Sequence, residues 1–552
     1  MKDVELYRHQ AVPTEEEECV LPRDGEQTRS SLCNDENHEG SFEIQTLSQR
    51  WWFNVSRQRL YGIGILVILV LLLSLLAALA TLWRDAMVHE CLWPVVIEYY
   101  TTCPSRGIFL QEMPVPRIVQ CSTNKPKNNN QDDDDDLSAV DKDNPFLRLE
   151  IWSNETFQTM EGLGGYTLTG GSAQHLSHMD PDARTRLLRE LFGNNRQAGE
   201  LHISYLRLSI GASDLEEAPF SYIDHVEPGQ QEEANNVTNL DNFSMKVDET
   251  FLIPIIQEIL AINPNVKFLA TPWSAPPAFK DNKSFRGGTL LPEFYDIYAR
   301  YFVLYLQQME RYGIHIDAIT VQNEPLWGGN NPSMVLTAVD EATFIRDHFA
   351  PALIFAGLNT KIILYDHNAD RWDYPVEILS DPFVKSLVHG TAFHLYAGEV
   401  ESLSKVHDAH PDKSIYFTEQ WVSSEGDLEG DLLWHLSSNS QLRPYTDGGC
   451  GLCLGAVTID GNDVTRNAAY YLFAHGSPFV PPGAVRVNTT DLSHHGVHNV
   501  GFLVPETRRL VLLFANVWGD NTTVLIDHEG AQIQFDLLGR SLSTLSLKYS
   551  RW

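Results

Sequence analysis

The stretch AITVQNEPLWGG, residues 318–329, carries a run of β-branched and apolar residues that ends on a carboxylate, Glu324. It is one of seven short apolar runs that alternate with longer amphipathic segments. The other six are FQTMEGLGG, ISYLRLSIG, VKFLATPW, KIILYDH, GTAFHLYA and SIYFTEQW. Strands that alternate with helices predict parallel βαβ units, and this number of repeats predicts an α/β protein with a (β/α)8 TIM barrel over residues 146–454.

Two glutamates end predicted strands of this barrel. Glu324 ends the fourth strand, and Glu419, in YFTEQW, ends the seventh. Active sites of such barrels lie at the C-terminal ends of the strands. Glycoside hydrolysis needs two carboxyl groups there, one to protonate the leaving oxygen and one to attack the anomeric carbon or activate water. The structural alternative is a salt bridge at the barrel mouth for each glutamate. The aromatic residues that suit the apolar face of a sugar ring are Trp273, Trp327, Tyr396 and Trp421.

The last hundred residues have a different pattern. Residues 455–552 are a series of short apolar runs broken by turn residues, which predicts an antiparallel β-sandwich-like domain. The strand-like LRLEIWSN, within residues 146–154, precedes the barrel. We expect it to join this β domain, because a lone strand would expose its edge.

Six separate motifs, in order along the chain, are similar to one family. They are TMEGLGG, LATPWSAPPAFK, ITVQNEP, FHLYAG, YFTEQW and VTRNAAYYLFAHGSPFVPPGAVRV. From about residue 146 to the C-terminus, the chain resembles the family-30 glycoside hydrolases, specifically the branch that contains lysosomal glucosylceramidase. The resemblance implies a retaining double displacement with Glu324 as acid/base and Glu419 as nucleophile. The pocket residues that it implies are Asn323 on the sugar 2-hydroxyl, Trp273 lining the sugar site, and Arg207, His394 and Tyr396 holding the nucleophile or the glycone.

Electrostatics favours the same division of roles. Carboxyl groups of retaining enzymes lie ~5 to 5.5 Å apart, so ionisation of one raises the pKa of the other and keeps it protonated. Arg207 close to Glu419 would favour the ionised nucleophile, and we therefore expect a protonated Glu324.

The resemblance implies hydrolysis of glucosylceramide or a related β-glucoside, in glycosphingolipid catabolism. It implies no cofactor and no metal, and as partners the membrane and a lipid-presenting activator protein. Two alternatives stay open at this stage. One is a glycosidase for another β-glycoside, such as a xyloside or fucoside. The other is a catalytically impaired glycan-binding protein.

Two departures from the family pattern motivate those alternatives. Thr169 stands where relatives place an Asp or Glu that binds the outer sugar hydroxyls. The chain after Glu419 is also too short for a full helix and an eighth strand: GDLLWHLSS offers about two helical turns, and QLRPYT is a poor core strand because Pro444 cannot donate to a ladder. We therefore expect a barrel without strand 8. The sequence then comes either from an incomplete gene model or splice form, or from a weakened or inactive relative.

The N-terminal part predicts a membrane anchor. Residues 61–83, YGIGILVILVLLLSLLAALATLW, carry no charge and are long enough to cross ~30 Å of hydrocarbon as one helix. Three arginines precede this segment, whereas an Arg-Asp pair follows it, so the positive-inside rule places the N-terminus in the cytosol. The prediction is a single-pass type II membrane protein whose catalytic domain lies in the lumen of an endomembrane compartment such as the lysosome, or outside the cell.

The remaining domain limits follow from composition. Residues 1–60 predict a disordered cytosolic tail, and residues 84–145, with five consecutive aspartates, predict a luminal stalk. Acceptor sequons for N-glycosylation follow the span at Asn154, Asn236, Asn242, Asn282, Asn488 and Asn521. The formal net charge of -33 argues against a nucleic-acid partner, because the chain could not neutralise phosphates.

Two smaller motifs have structural and functional interpretations. Cys450 and Cys453 form a C-x-x-C without a second ligand pair, which favours a local disulfide or two inert thiols over a zinc or redox site. Asp366 and His367 end the fifth strand, where they either orient a pocket group or cap the following helix.

Overall fold

The computed structural model describes residues 73–75, 94–121, 146–195, 199–224, 240–420 and 435–549. The chain divides into two units, Met1–Met87 and Val88–Trp552. In the first unit only residues 73–75 are described, and they are helical. The rest of the predicted span over 61–83 lies outside the described residues. Within the part of the chain that is described, no helix is both long and apolar enough to span a bilayer.

The strands divide between two domains. Four strands come first: β1 (Pro94–Cys103), β2 (Ile108–Glu112), β3 (Arg117–Cys121) and β4 (Leu147–Thr159). The seven barrel strands are β5 (Gly164–Leu168), β6 (Tyr205–Ile210), β7 (Lys267–Pro272), β8 (Ala318–Thr320), β9 (Lys361–Asn368), β10 (Gly390–His394) and β11 (Ser414–Glu419). Three short strands follow: β12 (Ser437–Ser438), β13 (Val457–Asp460) and β14 (Asp463–Arg466). The last six are β15 (Val485–Thr489), β16 (Val497–Val504), β17 (Arg509–Asn516), β18 (Thr522–His528), β19 (Ala531–Leu537) and β20 (Ser541–Tyr549).

Helices surround the barrel strands. They are α1 (Gly170–His178), α2 (Pro181–Phe192), α3 (Lys246–Thr250), α4 (Leu252–Ile262), α5 (Tyr295–Arg311), α6 (Ala338–Phe344), α7 (Ala350–Ala356), α8 (Asp373–Leu379), α9 (Pro382–Leu387), α10 (Ser402–Ala409) and α11 (Ala468–Gly476). A single π-helical turn, Ile345–Phe349, joins α6 to α7.

The seven strands β5 to β11 form one parallel sheet in chain order, which confirms the predicted strand–helix alternation. Helix α5 illustrates the amphipathic pattern of the predicted helices. Its buried side chains recur at helical spacing on one face: Tyr295, Tyr298, Ala299, Tyr301, Phe302, Tyr305, Leu306 and Met309. They join the main apolar core between the helices and the outer face of the sheet. Burial of this apolar face stabilises the packing of α5 in the barrel domain.

The place of an eighth strand is taken by a very short segment. His435 forms a parallel bridge with Thr167 of β5, and the amide of Leu436 donates to the Thr167 carbonyl at 3.0 Å. This isolated bridge is not a strand of the barrel sheet, which has seven strands among the described residues, and a barrel without strand 8 stays a prediction. The described part of GDLLWHLSS is extended rather than helical, and residues 439–446 form a loop. Residues 421–434, next to β11, lie outside the described residues.

A polar cluster closes the opposite, N-terminal end of the barrel. Glu161, just before β5, pairs with Lys361 at the start of β9 (2.7 Å) and with His389 before β10 (2.9 Å). The Ser414 hydroxyl, at the start of β11, donates to the same carboxylate at 3.4 Å. This carboxylate thus ties the first strand to the last three, at the point where an eighth strand would otherwise bridge them.

The second domain is a curled sheet of ten strands, in the order β2-β1-β20-β17-β16-β15-β4-β18-β19-β3, in which every pair is antiparallel except β4 with β18. Strand β4 pairs with β15 along one part and with β18 along another, so it joins the two halves of the sheet. Their inner faces share an apolar core. The prediction that LRLEIWSN joins the β domain is confirmed.

Two predicted boundaries need correction. Strands β1 to β3, within residues 94–121, belong to the β domain, so a stalk over 84–145 was wrong for this part: alternating residues such as Tyr99 are buried in the sheet core. The barrel also extends beyond residue 454. Side chains of β13 and α11, including Val457 and Phe473, pack in the barrel core.

Candidate active site

The site lies at the C-terminal ends of the barrel strands. Arg207 lies in β6, Asp366 near the end of β9, and His394 and Glu419 at the ends of β10 and β11. Glu324 follows β8 and adopts a left-handed backbone, with φ of 48°. Its amide donates to the Asp366 carbonyl at 3.0 Å, and Asp366 itself has φ of 56°. Two non-glycine residues thus hold strained conformations at the mouth, as is common where geometry serves a site.

Glu419 is held by two donors. The Nη1 atom of Arg207 donates to its Oε2 at 2.5 Å, and the Tyr396 hydroxyl donates to its Oε1 at 2.8 Å. Only 6% of the Glu419 side chain is exposed. A buried carboxylate with a guanidinium on one oxygen and a phenol on the other is stabilised in its ionised form and fixed in direction. Such a group is suited to nucleophilic attack on an electrophilic carbon beside it.

Arg207 serves several partners at once. Its Nη2 donates to Asn323 Oδ1 at 2.6 Å and to Asp366 Oδ2 at 2.9 Å. Burial lowers the pKa of Arg207, but the negative charges of Asp366 and Glu419 more than offset this effect and raise it. The guanidinium therefore stays charged. Because the Asn323 oxygen accepts from Arg207, the amide NH2 of Asn323 is the end that can donate to a substrate hydroxyl.

Asp366 is a fully buried anchor under the mouth. Its Oδ1 accepts from the Thr418 hydroxyl at 2.6 Å, and its Oδ2 accepts from the Thr320 hydroxyl at 2.9 Å. Burial alone would raise the pKa of Asp366. The charge of Arg207 and the hydrogen bond from His394 outweigh this effect, so the pKa lies well below the ordinary value. Of the two interpretations of this residue, orientation of pocket groups is the one that the geometry supports.

His394 lies between the two glutamates. Its Nδ1 is 3.4 Å from Glu324 Oε1, and its Nε2 is 3.1 Å from Asp366 Oδ1 and 3.7 Å from Glu419 Oε2. Burial lowers the pKa of this imidazole, but the charge of Glu419 and the hydrogen bonds to Asp366 and Glu324 raise it to about 9. His394 is therefore a cation near neutral pH. Glu324, His367 and His394 also have the spacing of metal ligands, but ion pairing within the site already accounts for their arrangement.

The protonation of Glu324 differs from the expected one. Burial raises the pKa of this carboxyl, but the interactions with the imidazoles of His367 and His394 lower it to about 2. The proton expected on Glu324 is thus held on the imidazole 3.4 Å away. The sequence pattern could not show this, because it gave no sign that an imidazole lies between the two carboxyl groups.

Two of the aromatic residues predicted at the sugar site differ in their exposure. Trp273 is only 1% exposed and packs against the Arg207 guanidinium, whose Cζ lies 4.7 Å from the ring centroid. Leu215 and Cys453 also cover the ring, so it packs on protein among the described residues, and the sugar-lining role of Trp273 stays a prediction. Trp327, in contrast, is 54% exposed. Trp421 lies outside the described residues.

Asp214 is a site residue that the sequence analysis missed. It lies in the loop after β6, and its Oδ2 accepts from the Cys450 amide at 3.2 Å. Its buried Oδ1 has no hydrogen-bond partner among the described residues. Burial and the charges of Glu419 and Glu324 raise its pKa to about 7. Its position in the segment directly after a barrel strand was the available signal.

Thr169, which stands where relatives place an Asp or Glu, has a structural role. Its Oγ1 accepts from the Ser172 amide at 3.1 Å, so it is the N-cap of α1, and it is 1% exposed. Asp214, in contrast, is a carboxyl group whose pKa responds to the charges of Glu419 and Glu324. The loop that covers Trp273 contains a disulfide between Cys450 and Cys453. This confirms the interpretation of the C-x-x-C motif as a local disulfide.

Comparison with known proteins agrees with this geometry. The family model "Glycosyl hydrolase family 30 TIM-barrel domain" matches residues 160–431. The "Endo-1,6-beta-D-glucanase neg1" of Aspergillus fumigatus is 31% identical over 387 residues, which are 63% of this chain and 77% of the relative. The chain belongs to glycosyl hydrolase family 30. It is thus a member of a family of retaining β-glycosidases.

Two further family 30 comparisons bear on specificity. The chain is 25% identical to the lysosomal acid glucosylceramidase of Mus musculus over 413 residues, covering 66% of this chain and 77% of that enzyme. The solved structure of the endo-β1,6-glucanase BT3312 is similar with a TM-score of 0.69 and 28% identity, covering 82% of this chain and 98% of that one. These matches do not single out the glucosylceramidase branch, which the motifs had suggested.

Proposed function

We propose that this protein is a retaining β-glucan hydrolase that cleaves β-1,6-linked glucose, with Glu419 as nucleophile and Glu324 as acid/base. The observation that carries the proposal is the Glu419 carboxylate, fixed by Arg207 and Tyr396 and joined to Glu324 through one imidazole, His394. Two carboxyl groups in unlike environments can divide the two roles.

In the first step Glu419 attacks the anomeric carbon and forms a glycosyl ester, while Glu324 passes a proton to the departing oxygen. The new ester removes the negative charge of Glu419, the largest of the influences that raise the pKa of His394. The imidazole then holds its proton less tightly and supplies it through Glu324 to the leaving oxygen. Proton release is thereby coupled to bond formation at Glu419.

In the second step the ionised Glu324 takes a proton from a water molecule while the water oxygen attacks the anomeric carbon, and the bond between that carbon and Glu419 breaks. Glu419 leaves as a carboxylate and is again stabilised by Arg207 and Tyr396. Because two inversions occur at the same carbon, the product keeps the β configuration. Asp214, with its partnerless buried oxygen, accepts a hydrogen bond from an outer hydroxyl of the glycone in both steps.

The β-1,6-glucan substrate rests on the relatives rather than on the pocket. The fungal relative at 31% identity and the structure at TM-score 0.69 are both endo-β-1,6-glucanases by name. The test is to incubate the full-length protein with β-1,6-glucan and follow the released sugars by NMR. The proposal requires β-anomers as first products and their loss in Glu419→Gln. First products of α configuration, or no turnover by a folded protein, would refute it.

Glucosylceramide is the second candidate. The apolar segment 61–83 favours it, because a membrane anchor confines an enzyme to the surface that carries a lipid substrate. A related glycosidase, the mouse glucosylceramidase, is named for this activity. The full-length protein in vesicles that contain glucosylceramide separates the candidates. Turnover of the lipid with β-1,6-glucan left intact would select this second function.

Membrane attachment itself is also a proposal, with the catalytic domain on the luminal or extracellular side. The positive charges before residues 61–83 support this orientation. Of the described sequons, Asn154, Asn242, Asn282 and Asn521 are exposed and so accessible to glycosylation. Endoglycosidase treatment after expression in eukaryotic cells tests the orientation. A shift in mobility that disappears in the Asn-to-Gln variants of these sites would support it, and an unglycosylated chain would refute it.

A further inference from the structure

Glu324 has two differently occupied oxygens. Its Oε1 faces the imidazole of His394, whereas its Oε2 accepts a hydrogen bond from Asn330 Nδ2 at 3.3 Å. Asn330 and His394 thus contact opposite oxygens of the acid/base. The leaving group takes its proton from this carboxyl, so we expect it close to the segment that carries Asn330.

Trp327 occupies this position. Its amide donates to the Glu324 carbonyl at 2.9 Å, and its indole Nε1 donates to Asn330 Oδ1 at 3.3 Å. Asn330 thus contacts the indole with one end and the acid/base with the other. The ring lies so close to Gly329 that a Cβ at residue 329 would come within 2.5 Å of it. A large aromatic ring that is 54% exposed is consequently held in one orientation.

The loop that follows the short segment bridged to β5 lies against Asn331, the residue after Asn330. Asn331 Nδ2 donates to the Asp447 carbonyl at 2.9 Å, and the Thr446 hydroxyl donates to the Asn331 carbonyl. The Thr446 amide in turn donates to the Asp214 carbonyl at 2.9 Å. One loop therefore connects the segment that carries Trp327 with the segment that carries Asp214, on two sides of the mouth.

We propose that Trp327 is the platform on which the leaving sugar stacks, a proposal that rests on the hydrolase function above. Its three features are an exposed and fixed indole, a direct backbone hydrogen bond to Glu324, and a shared partner in Asn330. Sugar rings present an apolar face that packs on aromatic rings, and a ring that is already fixed loses little entropy on binding. The substrate class is a β-glucoside whose leaving group is itself a sugar.

The experiment compares two substrates that differ in the leaving group. A β-1,6-linked gluco-oligosaccharide has a sugar to stack, whereas β-glucosyl fluoride has none and needs no protonation to leave. We expect Trp327→Ala to lower kcat/KM for the oligosaccharide roughly tenfold, mainly through KM. Hydrolysis of the fluoride should stay unchanged. Trp327→Phe, which keeps an aromatic face, should retain most of the activity on the oligosaccharide.

The chain offers a matched control. Trp518, in the β domain, is 53% exposed and also packs against a glycine, Gly496. Trp518→Ala should leave both substrates unaffected. An equal loss of activity on both substrates in Trp327→Ala, or no loss on the oligosaccharide, would overturn the platform proposal. Activity of the wild type in the same experiment would still support the hydrolase function. A folded wild type that hydrolyses neither substrate would overturn the hydrolase function and, with it, this proposal.

Discussion

His394 bridges the two glutamates: its Nδ1 is 3.4 Å from Glu324 Oε1 and its Nε2 is 3.7 Å from Glu419 Oε2. The imidazole carries a charge that both carboxylates stabilise. In the proposed mechanism it holds the proton that Glu324 needs, and it releases this proton when Glu419 loses its charge. The arrangement predicts that His394 matters most when the leaving group needs a proton.

The first prediction concerns this residue. His394→Asn should lower kcat for a β-1,6-linked gluco-oligosaccharide by ~10²- to 10³-fold, because general acid catalysis of this order is lost. The loss on β-glucosyl fluoride should be much smaller, since fluoride leaves without protonation. Steady-state kinetics on both substrates measures the difference. His315→Asn, at an exposed site, is the control. Equal losses on the two substrates would contradict proton storage.

The second prediction concerns Asp214. Asp214→Asn should lower kcat/KM at least tenfold at pH 8, because a charge-assisted hydrogen bond to the glycone is worth about 1.5 to 3 kcal/mol. Its pKa is raised to about 7, so the wild-type carboxyl is itself neutral at pH 5, and the loss should shrink there. The ratio of variant to wild-type kcat/KM across pH is the measurement. A ratio that is constant with pH would remove the role assigned to this carboxyl.

The third prediction concerns stability. Burial raises the pKa of a set of carboxyl groups to about 7 or 8: Asp214, Glu216, Asp248 and Glu341. A carboxyl whose folded pKa is raised binds its proton more tightly in the folded state, so it destabilises the fold as the pH rises from about 4 through the folded pKa. We expect the unfolding temperature to be higher near pH 5 than near pH 8. Calorimetry across this range would contradict the account if the temperature rose towards pH 8.

The fourth prediction concerns the N-terminal end of the barrel. The hydrogen bond from His389 holds the pKa of Glu161 well below its usual range, against the effect of burial, and Lys361 adds to this lowering. A carboxyl group whose pKa is lowered in the folded state stabilises the fold at pH values above its unfolded pKa. This stabilisation is lost as the pH falls below about 4. Glu161→Gln should therefore lower the unfolding temperature at pH 7 and have a smaller effect at pH 3. Partial exposure limits the loss to about 1 kcal/mol.

A control keeps this prediction specific. Glu310→Gln removes a carboxylate that pairs with His315 at an exposed site, and it should leave the unfolding temperature unchanged. If Glu161→Gln behaves in the same way at pH 7, the cluster does not tie β5 to the last three strands.

Sequence pattern was sufficient where one local signal decides the structure. Strand–helix alternation predicted the seven barrel strands, and their ends identified Glu324 and Glu419, because the C-terminal ends of parallel strands meet at one mouth. The roles of these residues stay predictions, since no ligand or activity tests them. Strands β1 and β3 were missed because they pair with β20 and β19, more than 400 residues away, and no local pattern shows such partners. Strand β2 joins the sheet through β1.

The rest of the site depends on contacts between distant segments. Trp273 has the composition of a sugar platform but is buried against Arg207, and only the fold reveals the loop of Cys453 that covers it. Asp214 was missed for the converse reason. Its role follows from a buried oxygen without a partner and from nearby charge, which are properties of three-dimensional packing.

The central claim is that Glu419 is the nucleophile of a retaining hydrolase and Glu324 its acid/base. The most direct measurement uses 2-deoxy-2-fluoro-β-glucosyl fluoride, which slows hydrolysis of the glycosyl ester, followed by mass spectrometry of peptides. We predict one covalent sugar on the peptide that contains Glu419 in the wild type and in Glu324→Gln, and none in Glu419→Gln. A sugar attached to Glu324, or a folded wild type that forms no adduct, would contradict the account.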